Sequence, residues 1–397
     1  GNVILYISSV PVCSLPSSPL RMLFFILLLP FSSSQLLFSA VLWRHGDRAP
    51  SDLPYPLDVN TEAAWPRGWN QLTNEGMNQM FDLGFWLRQR YILTESLLSP
   101  VYNRKELLVR STDRERALTS AQAAMSGLFP PEGIMVWRQG VFWQPTPIHS
   151  NGIDYDEDPL LKPTGIDCPA YDRIEEEQNE ELRGRIQQEN SQLFALLKRN
   201  TGMPSVNSSN VDDLYDIVRE ISHNLPQPTW VTPDITNQLT QLKIQLRLSY
   251  FNSPEKAKLR GGYLLADWVN KTNAVAKGES SLKSVMYSSH DGTVSSLMYA
   301  MGVGNEQLVP YAAAFILELH GHDQSQFVQI WYRNSTALPF QLTIPGCALD
   351  CPLEQFNKLM SNRTISTVDE LHSLCNSTNF TVFSFYTSSL LLILITL

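Results

Sequence analysis

Basic residues are in short supply in this chain. Its 30 lysines and arginines stand against 39 aspartates and glutamates, for a formal net charge of -9. Without a basic face, a polyanionic backbone has nothing to bind, so no nucleic-acid partner is expected. Charged residues make up only 17% of the chain and hydrophobic ones 43%, which excludes bulk disorder and leaves enough apolar side chain for a sizeable core. There is no internal repeat and no long low-complexity tract. At 397 residues the chain holds one large domain or two smaller ones. Cysteines number five, and Cys347-Ala348-Leu349-Asp350-Cys351 has no second pair at ligand spacing to complete a zinc site.

Long charge-free apolar runs occur only near the ends. Met22 follows Arg21 and opens Leu23-Phe24-Phe25-Ile26-Leu27-Leu28-Leu29, then Pro30 and the small residues Ser32 to Ser34. A short apolar core followed by small residues predicts a secretory signal, with translation starting at Met22, residues 1–21 upstream of it, and cleavage after Ser34. A membrane anchor is the alternative, although the run is shorter than the roughly 20 residues of a span. Phe380 to Leu397 is uncharged and apolar. Preceded by Asn376-Ser377-Thr378, it makes residues 377–397 a hydrophobic anchor or the signal for a lipid anchor, with a short transmembrane helix as the alternative. The expected location is the secretory pathway: extracellular, lysosomal, or tethered to the cell-surface membrane through the C-terminus.

Cysteine usage agrees. Cys13 lies upstream of the cleavage point, leaving Cys168, Cys347, Cys351 and Cys375. Four cysteines allow three pairings. The short spacing of Cys347 and Cys351 suits a small loop, which leaves Cys168 for Cys375. Sequons at Asn207, Asn270, Asn334, Asn362, Asn376 and Asn379 predict glycans on the surface.

The most informative stretch is Arg44-His45-Gly46-Asp47-Arg48-Ala49-Pro50, which follows the apolar run Leu36 to Trp43. A buried strand thus ends in a turn with two arginines around one histidine. Guanidiniums grip a dianion such as phosphate through forked hydrogen bonds, and they discourage protonation of the ring. A neutral ring keeps a lone pair with which to attack phosphorus.

Two further segments share this design. Glu106 to Arg110 reads as a strand, Ser111-Thr112 as a turn, and Leu118, Ala121, Met125 and Leu128 as one face of a helix with Asp113 as its N-cap. Leu282 to Ser289 leads through His290-Asp291-Gly292 into a helix bearing Val294, Leu297, Met298 and Met301. A helix from about Thr73 to Arg90 should turn Met77, Met80, Phe81 and Leu87 inward. Strands alternating with helices predict an α/β fold with a mainly parallel sheet flanked by helices, whose ligands bind beyond the strands' carboxyl ends. All three polar turns fall at such ends. Asp291 could protonate a leaving oxygen or cap its helix, and His290 could donate to the phosphate. Among Arg110, Arg114 and Arg116, composition does not choose the third guanidinium. His320-Gly321-His322-Asp323, between two strand-like runs, reads as a hairpin tip in preference to a metal cluster.

The text changes between residues 141 and 236, where prolines cluster and a helix-favouring acidic stretch follows. We read it as a mainly helical cap inserted between a first part of the α/β core, 35–140, and a second, 237–376.

These residues resemble the histidine acid phosphatases of the animal prostatic and lysosomal type. The likeness runs from about Leu37 to Cys375 and includes Arg44 to Pro50, Trp65-Pro66-Arg67-Gly68, Arg110-Ser111-Thr112-Asp113, Leu128 to Gly133, Trp143-Gln144-Pro145, Ser289-His290-Asp291, and Cys351-Pro352-Leu353-Glu354. The resemblance implies two-step hydrolysis of small phosphomonoesters with neither metal nor cofactor. His45 would be the nucleophile and form a phosphohistidine. Arg44, Arg48, Arg116 and His290 would bind the phosphate, Arg116 being the one of its cluster that aligns. Asp291 would protonate the leaving alcohol and then activate water. The resemblance also implies bridges Cys168–Cys375 and Cys347–Cys351, and a homodimer, with which the aromatic text around Trp143 is compatible. A third bridge of the vertebrate relatives is missing, since its positions fall near Asp216 and Ala314. A phosphomutase of the same superfamily, and an inactive secreted glycoprotein acting as a binding module, are the alternatives.

Overall fold

The computed structural model describes residues 34–152, 157–322, 325–334 and 338–378. The proposed signal apart from its last residue, Ser34, together with Cys13, Asp323, Asn379 and all but the first two residues of the C-terminal anchor segment, lies outside the described residues.

The strands are β1 (Gln35–Arg44), β2 (Leu107–Ser111), β3 (Ser284–Ser289), β4 (Ala314–His322), β5 (Ser325–Arg333), β6 (Phe340–Leu342) and β7 (Cys351–Pro352). They form one sheet ordered β2-β3-β1-β4-β5-β6, with β7 paired to β5. The helices are α1 (Asn74–Arg88), α2 (Glu115–Leu128), α3 (Pro169–Glu189), α4 (Ser191–Thr201), α5 (Val211–Leu214), α6 (Asp216–Ser222), α7 (Pro233–Ser249), α8 (Pro254–Ala276), α9 (Asp291–Met301), α10 (Leu353–Met360) and α11 (Val368–Cys375). A mainly helical region is therefore inserted between α2 and β3 in an α/β core.

The sheet is mixed, and this departs from the mainly parallel expectation. β2, β3 and β1 run parallel, whereas β4, β5 and β6 join them antiparallel. The reason is local: β4 ends at His322 and β5 begins at Ser325, and strands this close in sequence can only pair antiparallel.

Strand alternation builds two cores. On β1, Phe38, Ala40 and Leu42 face α8 and α9, packing with Trp268, Leu297 and Met301. Val41 and Trp43 face α1 and α2, packing with Met80, Leu83 and Met125. Leu36 breaks the parity and joins the second core because the β1–β4 register shifts between Leu36 and Phe38. Burying each large apolar side chain contributes about 1.5–3 kcal/mol, so both faces of β1 are fixed firmly.

Helix α1 faces inward through Gly76, Met80, Leu83, Gly84 and Leu87, while Phe81 is 46% exposed and points outward. Glycine explains the difference from the expected face. A Cβ on Gly84 would lie 1.8 Å from the Ala124 carbonyl, and one on Gly127 would lie 2.3 Å from that of Phe81. The two helices thus touch backbone to backbone along their glycines. Helix α2 begins one residue later than expected, with Arg114 as N-cap, because Asp113 instead accepts from the Ser150 hydroxyl.

Two disulfides are present, Cys168–Cys375 and Cys347–Cys351. The first ties α11 to the start of α3 and lies among Ile166, Tyr171, Ile365 and Leu371. A separate apolar cluster, including Leu193, Leu197, Leu214, Ile217, Leu239 and Leu242, holds α4 to α7 together with Tyr55.

Candidate active site

Register brings the three polar turns to one level. Arg44 pairs with Ser289 across β1 and β3, and Ser111 pairs with Ser288 across β2 and β3. The next residues, His45, Thr112 and His290, therefore leave the sheet together at its carboxyl edge. His45 extends the ladder by one step, its amide donating to the Ser289 carbonyl at 2.9 Å.

The turn after His45 is held by Asp47. The Asp47 amide donates to Gln79 Oε1 at 2.9 Å, and its side chain accepts from the Thr73 hydroxyl at 2.5 Å. Thr73 in turn accepts from the Gly76 amide and so caps α1. Asp47 Oδ2 also lies 2.7 Å from His223 Nε2, just beyond α6 of the inserted region.

The His45 ring is buried. Its Nδ1 lies 2.8 Å from the Gly46 carbonyl oxygen, which can only accept, so Nδ1 carries the proton. Nε2 is then the lone-pair nitrogen, and Arg116 Nε donates to it at 3.2 Å. Burial, followed by the charges of Arg44, His290 and Arg116, holds this ring's pKa well below the ordinary histidine value, against the opposing Gly46 hydrogen bond. The surroundings therefore favour the neutral ring.

The surroundings are cationic. Arg44 donates to the Val309 carbonyl at 2.6 Å and lies 3.9 Å above the Tyr311 ring, while Arg48 donates to the Ala49 carbonyl at 2.7 Å. Burial and the neighbouring Arg48 and Arg114 pull Arg116 down to about 10. The other two arginines of its cluster lie elsewhere: Arg110 donates to Asn151 at 2.8 Å, and Arg114 is exposed. His290 lies edge-on to His45, with ring centroids 5.5 Å apart, and its Nε2 is 3.0 Å from the Thr112 hydroxyl. Burial, then Arg116, pushes His290 down to about 3. His290 Nδ1 and Arg44 Nε are buried without a protein hydrogen-bond partner. Asp291 is the first residue of α9, with His290 as N-cap. Burial would raise the Asp291 pKa, yet Arg247, Arg44 and Lys243 outweigh it and hold the carboxyl well below its usual range.

Three site residues escaped sequence reasoning. Arg247 on α7 contacts Asp291, Tyr311 stacks on Arg44, and Arg219 Nε on α6 donates to the Tyr311 hydroxyl at 2.8 Å. All three come from segments far from the signature turns, and no local spacing marks them. His320, one of the candidate metal ligands set aside as a hairpin tip, is buried at the end of β4, stacked on Phe327 and 3.3 Å from Glu318. Among the described residues, no group of three or more His, Cys, Asp or Glu could hold a metal ion.

A sheet that delivers an uncharged imidazole into a ring of guanidiniums defines a class of protein, the histidine-centred enzymes that handle phosphoryl groups. The chain matches the histidine phosphatase superfamily (branch 2) over residues 35–333. It is 39% identical over 336 residues to the lysosomal acid phosphatase of Xenopus laevis, spanning 83% of this chain and 76% of that protein. It is 36% identical over 345 residues to the prostatic acid phosphatase of Rattus norvegicus, spanning 83% and 87%. Among solved structures, the apo form of a Hafnia alvei phytase superposes with a TM-score of 0.65 at 19% identity, covering 85% of this chain and 98% of that one. At that identity the likeness speaks to the fold alone. The chain belongs to the histidine phosphatase superfamily, branch 2, and within it stands with the histidine acid phosphatases.

Proposed function

We propose that the protein is an acid phosphatase that hydrolyses phosphate monoesters in two steps through a phosphohistidine on His45. The observation that carries this is the pair of contacts on one ring: Nδ1–H to the Gly46 carbonyl, and Nε2 facing Arg116. The first fixes the tautomer. The second aims the lone pair at the point where a phosphate would be gripped.

Arg44, Arg48 and Arg116 hold the phosphoryl oxygens, and His290 Nδ1–H supplies a further donor once the Thr112 hydroxyl donates to Nε2. Each close guanidinium–phosphate contact contributes about 4 kcal/mol at an effective dielectric near 20, before desolvation. That grip accelerates the reaction insofar as it tightens on the transferring PO3. Nε2 forms the P–N bond as the P–O bond to the alcohol breaks, and Asp291 supplies the proton to the departing oxygen. In the second step Asp291 takes a proton from water, whose oxygen attacks phosphorus and returns the electron pair to Nε2. No metal takes part in this scheme. The inserted region, 141–236, acts as a cap that selects the alcohol.

The wider expectations form part of this reading. The two relatives are lysosomal and prostatic enzymes by name, which supports a secretory or lysosomal location here. Asn207, Asn270, Asn362 and Asn376 are exposed, as glycan acceptors must be, while Asn334 is half-buried. The apolar segment with Ile134 at 96% and Phe142 at 90% exposure, together with Trp137 and Trp143, supports a homodimer contact.

The test is release of phosphate from p-nitrophenyl phosphate at pH 5 with a chelator present, by the wild type and by His45→Ala. Chelator-resistant turnover, lost in the variant, is expected. Undiminished turnover by His45→Ala refutes the assignment.

A further inference from the structure

Asp291 is not held by the core that carries His45. Its partner comes from the far end of α7, the helix that starts in the inserted region and runs on past 236. Arg247 Nε donates to Asp291 Oδ2 at 3.0 Å, and the terminal nitrogen Nη2 of the same guanidinium lies 2.9 Å from the same oxygen. Both contacts fall on Oδ2, so Oδ1 is not used by the arginine. The guanidinium is in turn packed 5.4 Å from the Phe251 ring centroid, one turn beyond it.

A second observation joins them. Gly292 follows Asp291 in the first turn of α9. A Cβ built there would lie 2.7 Å from Arg247 Nη2 and 3.1 Å from Thr164 Cγ2. The missing side chain therefore leaves room for the guanidinium to come close against the first turn of α9. Asp291, Gly292 and Arg247 behave as one unit assembled from two parts of the chain.

We propose that Arg247 is a positioning residue for Asp291: it holds the carboxyl group by one oxygen, turns the other toward the leaving group, and sets how readily that group takes up the proton it must deliver. This rests on the role given to Asp291 above. The other ionisable groups acting on Asp291 are Arg44, Lys243, Arg116 and the two histidines His45 and His290. Arg44 belongs to the phosphate grip and Lys243 is paired with Asp212, so Arg247 is the cation in direct contact. A clamped carboxylate parts from its proton easily, which suits a donor. It also gains one reluctantly, which confines the donor form to acid pH or to the moment when a phosphate dianion enters and offsets the arginine's charge.

The arginine should therefore matter most where the leaving oxygen most needs a proton. An alkyl phosphate needs it far more than p-nitrophenyl phosphate, whose alcohol leaves as a stable anion. The experiment compares wild type, Arg247→Met, Arg247→Lys, Gly292→Ala and Asp291→Asn with both substrates from pH 4 to 8. For Arg247→Met we expect kcat on an alkyl phosphate to fall about tenfold or more with KM within about twofold, a smaller loss on p-nitrophenyl phosphate, and an alkaline limb of kcat/KM about one pH unit higher. Arg247→Lys should recover part of the loss, and Gly292→Ala, which leaves the arginine but crowds it, should move in the same direction as Arg247→Met. If Arg247→Met does not fold, the other two variants decide. Equal losses on both substrates with an unmoved pH profile overturn the inference. Wild-type turnover by Asp291→Asn overturns the role of Asp291 itself. An impaired Asp291→Asn beside wild-type behaviour in the Arg247 and Gly292 variants overturns only the proposal made here.

Discussion

Gly46 and Gly76 meet backbone to backbone: a Cβ on Gly46 would lie 2.2 Å from the Gly76 carbonyl oxygen, and one on Gly76 would lie 2.1 Å from that of Asp47. The residue after His45 is thus pressed against the first turn of α1. The Gly46 carbonyl that fixes the His45 tautomer depends on this contact.

Gly76→Ala should push α1 off the turn. Neither partner atom is the end of a flexible side chain, so the strain must move backbone. Overpacking of this kind typically costs about 1–3 kcal/mol. We expect a lower midpoint in urea and at least a tenfold loss of kcat measured under conditions where the variant is folded. Alanine with unchanged stability and turnover contradicts the close approach.

Glu220 on α6 is fully buried beside Asp58, with Asn60 and Gln227 each donating to its Oε2. Burial raises Glu220 to about 7, against those hydrogen bonds, and Asp58 adds to the rise. The unfolded value is near 4.3, so the folded state binds the extra proton between the two. Stability from this group is fully present below the unfolded value and is lost as pH rises through about 7. The melting temperature should therefore fall from pH 5 to pH 8, and Glu220→Gln should flatten that fall. A variant with the wild-type slope counts against the assignment.

The two disulfides should contribute unequally. Cys168–Cys375 closes 207 residues of sequence separation and Cys347–Cys351 only 4. Chain-entropy estimates give about 5 kcal/mol for the first and about 2 for the second. Serine at both members of each pair, followed by thermal unfolding, should show the larger loss for the long bridge; the reverse order contradicts this.

His45 and His290 should both be neutral at pH 5, where an unperturbed histidine is mostly charged, because burial and the arginines lower both. Nitrogen-15 shifts of labelled histidine, assigned with His45→Ala and His290→Ala, would report it. Protonated signals from these rings at pH 5 contradict the electrostatic picture.

Much of the site was legible because its three polar turns sit at strand ends. An apolar run stopping at Arg44, Ser111 or Ser289 marks both the strand and the edge where its turn must lie, and parallel pairing then brings the turns level. Arg116 was singled out by resemblance, since nothing local separates it from Arg110 and Arg114. Arg247 and Tyr311 were not legible. The partner of Arg247, Asp291, is 44 residues away, and that of Tyr311, Arg44, lies at the end of β1 on the far side of the inserted region, distances over which no periodicity speaks. The face of α1 was misjudged at Phe81 because apolar periodicity ignores glycine, while here glycine decides which face comes close. The antiparallel half of the sheet was implicit in the hairpin tip near His320, but strand–helix alternation elsewhere outweighed it.

The central claim is that the neutral ring of His45 carries the phosphoryl group during turnover. The most direct measurement mixes enzyme with a phosphomonoester labelled in the phosphate, quenches within milliseconds in alkali, where a phosphorus–nitrogen bond survives, and locates the label by peptide mass. The account predicts label on the peptide containing His45, formed and lost at rates fast enough to support kcat. Normal turnover with no label on His45 at any time would contradict it.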